Sequence, residues 1–208
     1  MRQGARNAKL CDNAAMRERT QPFNISFIGQ TGSGKGTQAG LLAQRLLNVV
    51  HIITGDLMRA LAKEDSVLGR KVAEILDAGG LPPVWTASFL WEREIFARLA
   101  PDKHLIMDGA PRRLEEAQLL DEILLAFDRA PVTGIFLRIS EAEALRRLKA
   151  RGRDDDDEKT IANRFAYFSE SVMPMLEYYR GSARLIEING EQSIEAVQKD
   201  IRAALGIV

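Results

Sequence analysis

The sequence predicts an α/β fold, a parallel sheet with helices on both faces. Short apolar runs alternate with segments whose apolar residues recur at helical spacing, which is the pattern of strand–helix–strand units. The first apolar run ends in a glycine-rich loop that leads straight into a helical segment. The composition of the 208 residues, 46% hydrophobic and 28% charged, suits one domain large enough to bury a core. Basic and acidic residues balance at 29 each, so there is no general attraction for nucleic acid or an anionic membrane surface. The single cysteine, Cys11, excludes an internal disulfide and any multi-cysteine zinc site. No apolar run approaches the roughly 20 residues of a membrane helix. The composition points to a reducing compartment, the cytoplasm.

Residues 1–21 are polar and carry Arg2, Arg6, Arg17 and Arg19 without the apolar stretch of a secretory signal. Asp12 and Glu18 count against an organellar transit peptide, and the segment reads as a disordered tail ahead of a folded domain at 22–208. Residues 23–28, Phe-Asn-Ile-Ser-Phe-Ile, read as the first strand. A helix is predicted over 38–47, with Leu41, Leu42 and Leu46 at helical spacing. Further strands are predicted at 49–53, 104–107, 135–137 and 185–188. Helices are predicted over 57–62, 67–77, 87–99, 114–127, 141–149, 158–170 and 194–205, with no repeat or low-complexity linker dividing the chain. Trp85, Trp91, Tyr178 and Tyr179 read as packing or surface residues, and His51 and His104 as structural or exposed.

The loop after the first strand is Gly29-Gln30-Thr31-Gly32-Ser33-Gly34-Lys35-Gly36-Thr37. A phosphate needs several N–H donors pointing inward, and glycine lets the backbone wrap that tightly. The helix that follows offers its N-terminal amides and dipole to the same anion, and Lys35 adds a point charge. Gly32, Ser33, Gly34, Lys35, Gly36 and Thr37 are therefore candidate nucleotide-phosphate ligands. Composition alone would give such a string in roughly 1 of 10⁵ chains of this length. A P-loop usually places Ser or Thr directly after its lysine to hold magnesium, whereas here Gly36 intervenes.

The string Gly-x-Gly-Lys-Gly-Thr-Gln, ending at Gln38, closely resembles the adenylate kinase family of nucleoside monophosphate kinases. Five further stretches carry the resemblance in the family's order. They are Thr54-Gly55-Asp56-Leu57-Met58-Arg59, Gly79-Gly80-Leu81-Pro82-Pro83, Asp108-Gly109-Ala110-Pro111-Arg112, Arg151-Gly152-Arg153-Asp154-Asp155-Asp156, and finally Arg164. The resemblance implies a P-loop NTPase-type sheet with a small monophosphate-binding helical insertion at about 54–83 and a very short lid at about 150–157. It implies a monomer that transfers the terminal phosphoryl group of ATP to AMP with Mg²⁺, and no zinc.

By the same resemblance, Arg59 and Arg112 hold the acceptor monophosphate, with Thr54, Gly55, Gly80, Leu81, Pro82, Gly109 and Glu116 completing its site. Arg153 and Arg164, together with Lys35, surround the moving phosphoryl group, while Asp155 and Asp156 match the lid aspartates. Arg147, Arg151 and Gln192 fall on the ATP side, Arg147 stacking on the adenine. Asp108 organises magnesium through water. These residue types suit the chemistry, because phosphoryl transfer needs alignment and cations, and guanidinium groups grip phosphate oxygens bidentately. Asp157 reads as an N-cap for the helix beginning near Glu158.

Besides Thr31 for proline in the loop and Pro82 for valine in the turn, three departures from the family bear on the acceptor and the lid. Glu116 stands where a glutamine reads the adenine edge, and an ionised carboxylate only accepts hydrogen bonds. Either the acceptor base is relaxed toward GMP, or a register shift exposes Glu116 and brings Gln118 into play. Ala110 stands for a phenylalanine and is expected to change the wall beside the acceptor. The lid of about seven residues is expected to exclude water poorly, so that some ATP is hydrolysed. Two other function classes have less support. A catalytically weak binding homologue would have lost Lys35 or an arginine, and a P-loop hydrolase would carry Ser or Thr at position 36.

Overall fold

A computed structural model describes residues 22–152 and 157–207. Five parallel strands, β1 (Asn24–Ile28), β2 (Val49–Ile53), β3 (His104–Asp108), β4 (Thr133–Arg138) and β5 (Leu185–Asn189), form one sheet in the order β2-β3-β1-β4-β5. The helices are α1 (Lys35–Arg45), α2 (Thr54–Ala62), α3 (Val67–Asp77), α4 (Val84–Arg98), α5 (Leu114–Ala126), α6 (Glu141–Arg151), α7 (Glu158–Tyr167), α8 (Met173–Gly181) and α9 (Ile194–Ala204). The predicted α/β class holds, and every predicted strand is present to within two residues at either end.

The strands sort their side chains with a period of two. Ile25 and Phe27 of β1, Ile106 of β3 and Ile135 and Leu137 of β4 pack with Leu42 of α1 and with Val197 and Ile201 of α9. Ile28, Val50, Ile52, Leu105 and Met107 point the other way, into a larger core with Leu61, Leu90, Trp91, Leu120 and Leu176. A sheet covered on both faces needs near-continuous apolar strands, and all five residues of β1 are buried. Burying some 80 Å² or more of apolar surface per large side chain stabilises the fold by about 1.5–3 kcal/mol each. Trp91 and Tyr179 lie fully inside, while Trp85 is exposed. His104 has a structural role, since its Nδ1 accepts the Phe23 N–H at 2.9 Å.

Two helical regions differ from the sequence expectation. The first helix begins at Lys35, inside the glycine-rich loop, because Gly34 takes a left-handed turn (φ 91°) at its N-cap. The helix predicted to stop at 170 instead passes through a π-helical turn, Phe168–Val172, into α8. Pro174 sits in the first turn of α8, where a missing N–H costs little. Ser66, Ser140, Asp157 and Ser193 each cap the next helix by accepting an N–H three residues on, as expected for Asp157.

The strand order places a topological switch beside β1, where the connections leave to opposite sides. Ligands of open parallel sheets bind outside the carboxyl ends of the strands at such a point. Phe27 is paired with Asp108, and Ile53 with the same residue from the other side. Gly29, Thr54 and Asp108 therefore stand together on one rim of the sheet.

Candidate active site

That rim opens into a cleft of about 1580 Å³. Gly32, Ser33, Gly34, Lys35, Gly36 and Thr37 form one wall, at the junction of β1 and α1. Thr54, Gly55 and Arg59 reach it from α2, and Gly80, Leu81 and Pro82 from the turn between α3 and α4. Asp108, Gly109, Arg112 and Glu116 come from the end of β3 and the start of α5. Arg147 and Arg151 enter from α6, Arg164 from α7, and Gln192 from the loop before α9. The predicted residues thus converge from seven separate stretches of chain. Arg153, Asp155 and Asp156 lie outside the described residues, as does the segment 1–21.

Local chemistry fixes each cation. The Lys35 ammonium donates to the carbonyls of Gly29 (2.7 Å) and Gln30 (2.8 Å) and to Ser33 Oγ (3.4 Å), which folds it back over its own loop. Burial pushes its pKa down to about 8, Asp108 opposes that, and the charges of Arg112 and Arg151 add to it. Arg112 donates through Nε to the Gly109 carbonyl (2.8 Å) and through Nη1 to Tyr167 Oη (3.1 Å). Arg59 pairs with Asp56 on the same helix. Arg147 donates to Glu143 Oε1 (2.6 Å) and to the Gly190 carbonyl (2.8 Å). Gln192 donates to the Asn189 carbonyl and to Asp200 Oδ2, at 3.0 and 2.8 Å.

Gly36 has a spatial reason. A Cβ at this position would stand 3.0 Å from Asp108 Oδ2, so a larger residue would need that carboxylate to give by a few tenths of an ångström. The close approach accounts for glycine where the commoner P-loop has Ser or Thr.

The acceptor-side departures resolve differently from one another. Glu116 is buried, 3% exposed, and lines the cleft, whereas Gln118 is exposed. The register shift is therefore overturned, because α5 turns Glu116 inward and Gln118 outward. Glu116 Oε2 accepts the Arg112 N–H at 3.0 Å. Burial pushes the carboxyl up, against the pull of that N–H and of the Arg112 and Arg113 charges. Ala110 also differs from expectation. It is 1% exposed and packs in the larger core beneath the cleft, while its carbonyl accepts a hydrogen bond from Ser26 Oγ at 2.7 Å.

Tyr167 is a cleft residue that the sequence reading missed. It lies three residues after Arg164 on α7, hence on the same helix face, and its ring centroid stands 5.9 Å from the Arg112 guanidinium carbon. That spacing was the available signal. α6 continues to Arg151, two residues beyond its predicted end, and α7 begins at Glu158 as predicted.

Known proteins match this arrangement along most of the chain. The family model described as adenylate kinase matches residues 27–184. The adenylate kinase of Corynebacterium urealyticum is 38% identical over 184 residues, covering 88% of this chain and 99% of that protein. Adenylate kinase 1 of Nostoc sp. is 35% identical over 182 residues, covering 88% and 98%. The adenylate kinase of Mycolicibacterium vanbaalenii is 38% identical over 169 residues, covering 81% and 92%. With a P-loop at the end of β1 and cations gathered over the switch point, the chain belongs to the adenylate kinase family.

Proposed function

We propose that the chain catalyses the reversible transfer of the terminal phosphoryl group of ATP to AMP, giving two ADP. One observation carries this reading above the rest: Lys35 and Arg112 line the same cleft beside the glycine-rich loop, and both direct their hydrogen bonds to neutral oxygens. Two cations sharing one cleft suit a dense anionic ligand.

In this reading the P-loop amides and Lys35 hold the donor phosphates, and Arg147 offers a flat guanidinium face to the donor adenine, anchored by Glu143 and Gly190. Arg151 and Gln192 complete the donor side. Arg59, Arg112, Thr54, Gly55, Gly109 and the turn Gly80–Pro82 hold the acceptor. Arg164 and Lys35, joined by Arg153 of the link, surround the moving group, with Asp155 and Asp156 beside it. The acceptor phosphate oxygen attacks the terminal phosphorus as the bond to the bridging oxygen breaks, and the residues align the two and neutralise charge.

Magnesium fits these residues. Among the described residues no cluster of three or more His, Cys, Asp or Glu could cage a metal, while Asp108 lies directly against the loop at Gly36. A cation arriving with ATP, held by one carboxylate through water, matches that donor set and neutralises the phosphate oxygens when bound. No described helix is long and apolar enough to cross a membrane, and the substrates are small and soluble. A coupled assay for ADP from ATP and AMP tests the reading. No ADP above background at millimolar substrates would refute it.

A further inference from the structure

Glu116 is the buried acidic side chain in a cleft otherwise dominated by cations. Lys35, Arg59, Arg112, Arg147, Arg151 and Arg164 all line the same space. Phosphates go to those cations, so a buried carboxylate there must meet another part of the ligand, a part that donates hydrogen bonds. Glu116 stands one helical turn beyond Arg112, and its Oε2 is taken by the Arg112 N–H. No side chain of the described residues donates to Oε1. Glu116 lines the cleft, so a carboxylate oxygen with acceptor capacity to spare can take a donor from a bound base.

We propose that Glu116 is the residue that sets the acceptor base, its second oxygen accepting from the purine edge so that GMP is taken alongside AMP. Adenine presents one amino donor beside a ring nitrogen whose lone pair faces the same way. Guanine presents a ring N–H and an amino group side by side, two donors with no lone pair between them. A carboxylate oxygen is attracted by both groups of guanine but repelled by the ring nitrogen of adenine. Uracil offers one N–H between two carbonyl oxygens, and cytosine one amino group beside a lone pair, so neither matches guanine.

A structural alternative exists, in which Glu116 only ties down the start of α5 through Arg112. Glu116→Gln separates the two. The amide oxygen still accepts the Arg112 N–H, while the amide N–H₂ replaces an acceptor by a donor toward the base. The measurement is kcat and KM with ATP as donor and AMP, GMP, CMP and UMP as acceptors, for the wild-type chain and E116Q. The AMP-to-GMP ratio of kcat/KM should rise about tenfold or more in E116Q, the usual worth of one hydrogen bond to a charged group, and the change should appear in KM. An unchanged ratio, or an equal loss with all four acceptors, would overturn the proposal. Should E116Q not fold, calorimetric titration of the wild-type chain decides. GMP binding within about tenfold of AMP supports it, and a gap above about a thousandfold overturns it. The proposal rests on the adenylate kinase reading. No transfer to any acceptor defeats both, whereas transfer with an unmoved ratio defeats this one alone.

Discussion

Replacing Lys35 by methionine should remove activity without weakening the fold. The lysine is half-buried, and burial lowers its pKa from 10.5 to about 8. That fall corresponds to about 3 kcal/mol of preference against carrying the charge in the unliganded protein. Methionine keeps the stem, removes the charge, and gives up the bonds to Gly29, Gln30 and Ser33. Those carbonyls face a solvent-filled cleft and can turn to water, so K35M should be as stable as the wild type at pH 7, or more so by up to about 3 kcal/mol. The sign of the pH dependence follows from the same shift. Between pH 8 and 10.5 the unfolded chain still holds the proton that the folded chain has released, so wild-type stability gains a contribution as pH rises through that window. K35M lacks this contribution, and the difference between the two proteins cancels every other titration. Urea unfolding followed by circular dichroism at pH 7 and pH 10 measures it. In parallel, kcat should fall by at least about 10²-fold in K35M, the loss expected for one charge at a developing anion. Wild-type kcat/KM for ATP should fall above about pH 8, where the free enzyme loses the charge. A variant that unfolds more easily at pH 7, or that keeps near-normal turnover, would refute the reasoning.

Three other outcomes can be checked directly. Gly79 has φ +71°, and a Cβ there would stand 2.7 Å from the Thr160 carbonyl oxygen, so G79A should lose about 1–3 kcal/mol and raise the KM for AMP through the adjoining turn; thermal melts and AMP titrations read both. Asp121 accepts the Val132 N–H and the Tyr178 hydroxyl, each at 2.9 Å, and pairs with Arg184 at 2.8 Å far from the cleft. D121A should cost about 3–5 kcal/mol on chemical unfolding while leaving kcat unchanged at temperatures where it stays folded. With few residues between Arg151 and Glu158 to shield the phosphates, ATP should be hydrolysed without AMP at a measurable fraction of the transfer rate, which phosphate release would detect; a rate at background would contradict it.

The legible parts of the molecule were those set by local pattern. Short apolar runs gave β1 and β2, and helical spacing, with Asp157 ahead of α7, gave α3, α6, α7 and α9. What failed depended on three-dimensional context. The helix predicted over 158–170 runs on into α8 through a π-helical turn, and Pro174 falls where a missing N–H costs little. Ala110 was assigned to the acceptor wall by its place in a motif, yet the turn after β3 sends its side chain into the core. Tyr167 escaped notice because the motif ends at Arg164, while its function is to hold Arg112, a residue 55 positions away.

The balanced charge is the feature that sequence totals describe least well. Seven cations line one cleft although the chain sums to zero, and the partners of several explain how both can be true. Arg59 and Arg147 stand at the mouth with carboxylates of their own helices, Asp56 and Glu143, which orient them and screen their charge. Lys35 and Arg112 direct their hydrogen bonds to carbonyls and to side-chain hydroxyls, which orient them, while Asp108 acts on Lys35 only through its charge. A carboxylate in either of those places would compete with the phosphate for the same donors. Hydrogen bonds to neutral oxygens orient these two cations without a paired carboxylate occupying their donors, which leaves them to the phosphates. The acidic residues that bring the total to zero are therefore distributed by position, and their placement decides which cations remain strong enough to bring two anions together.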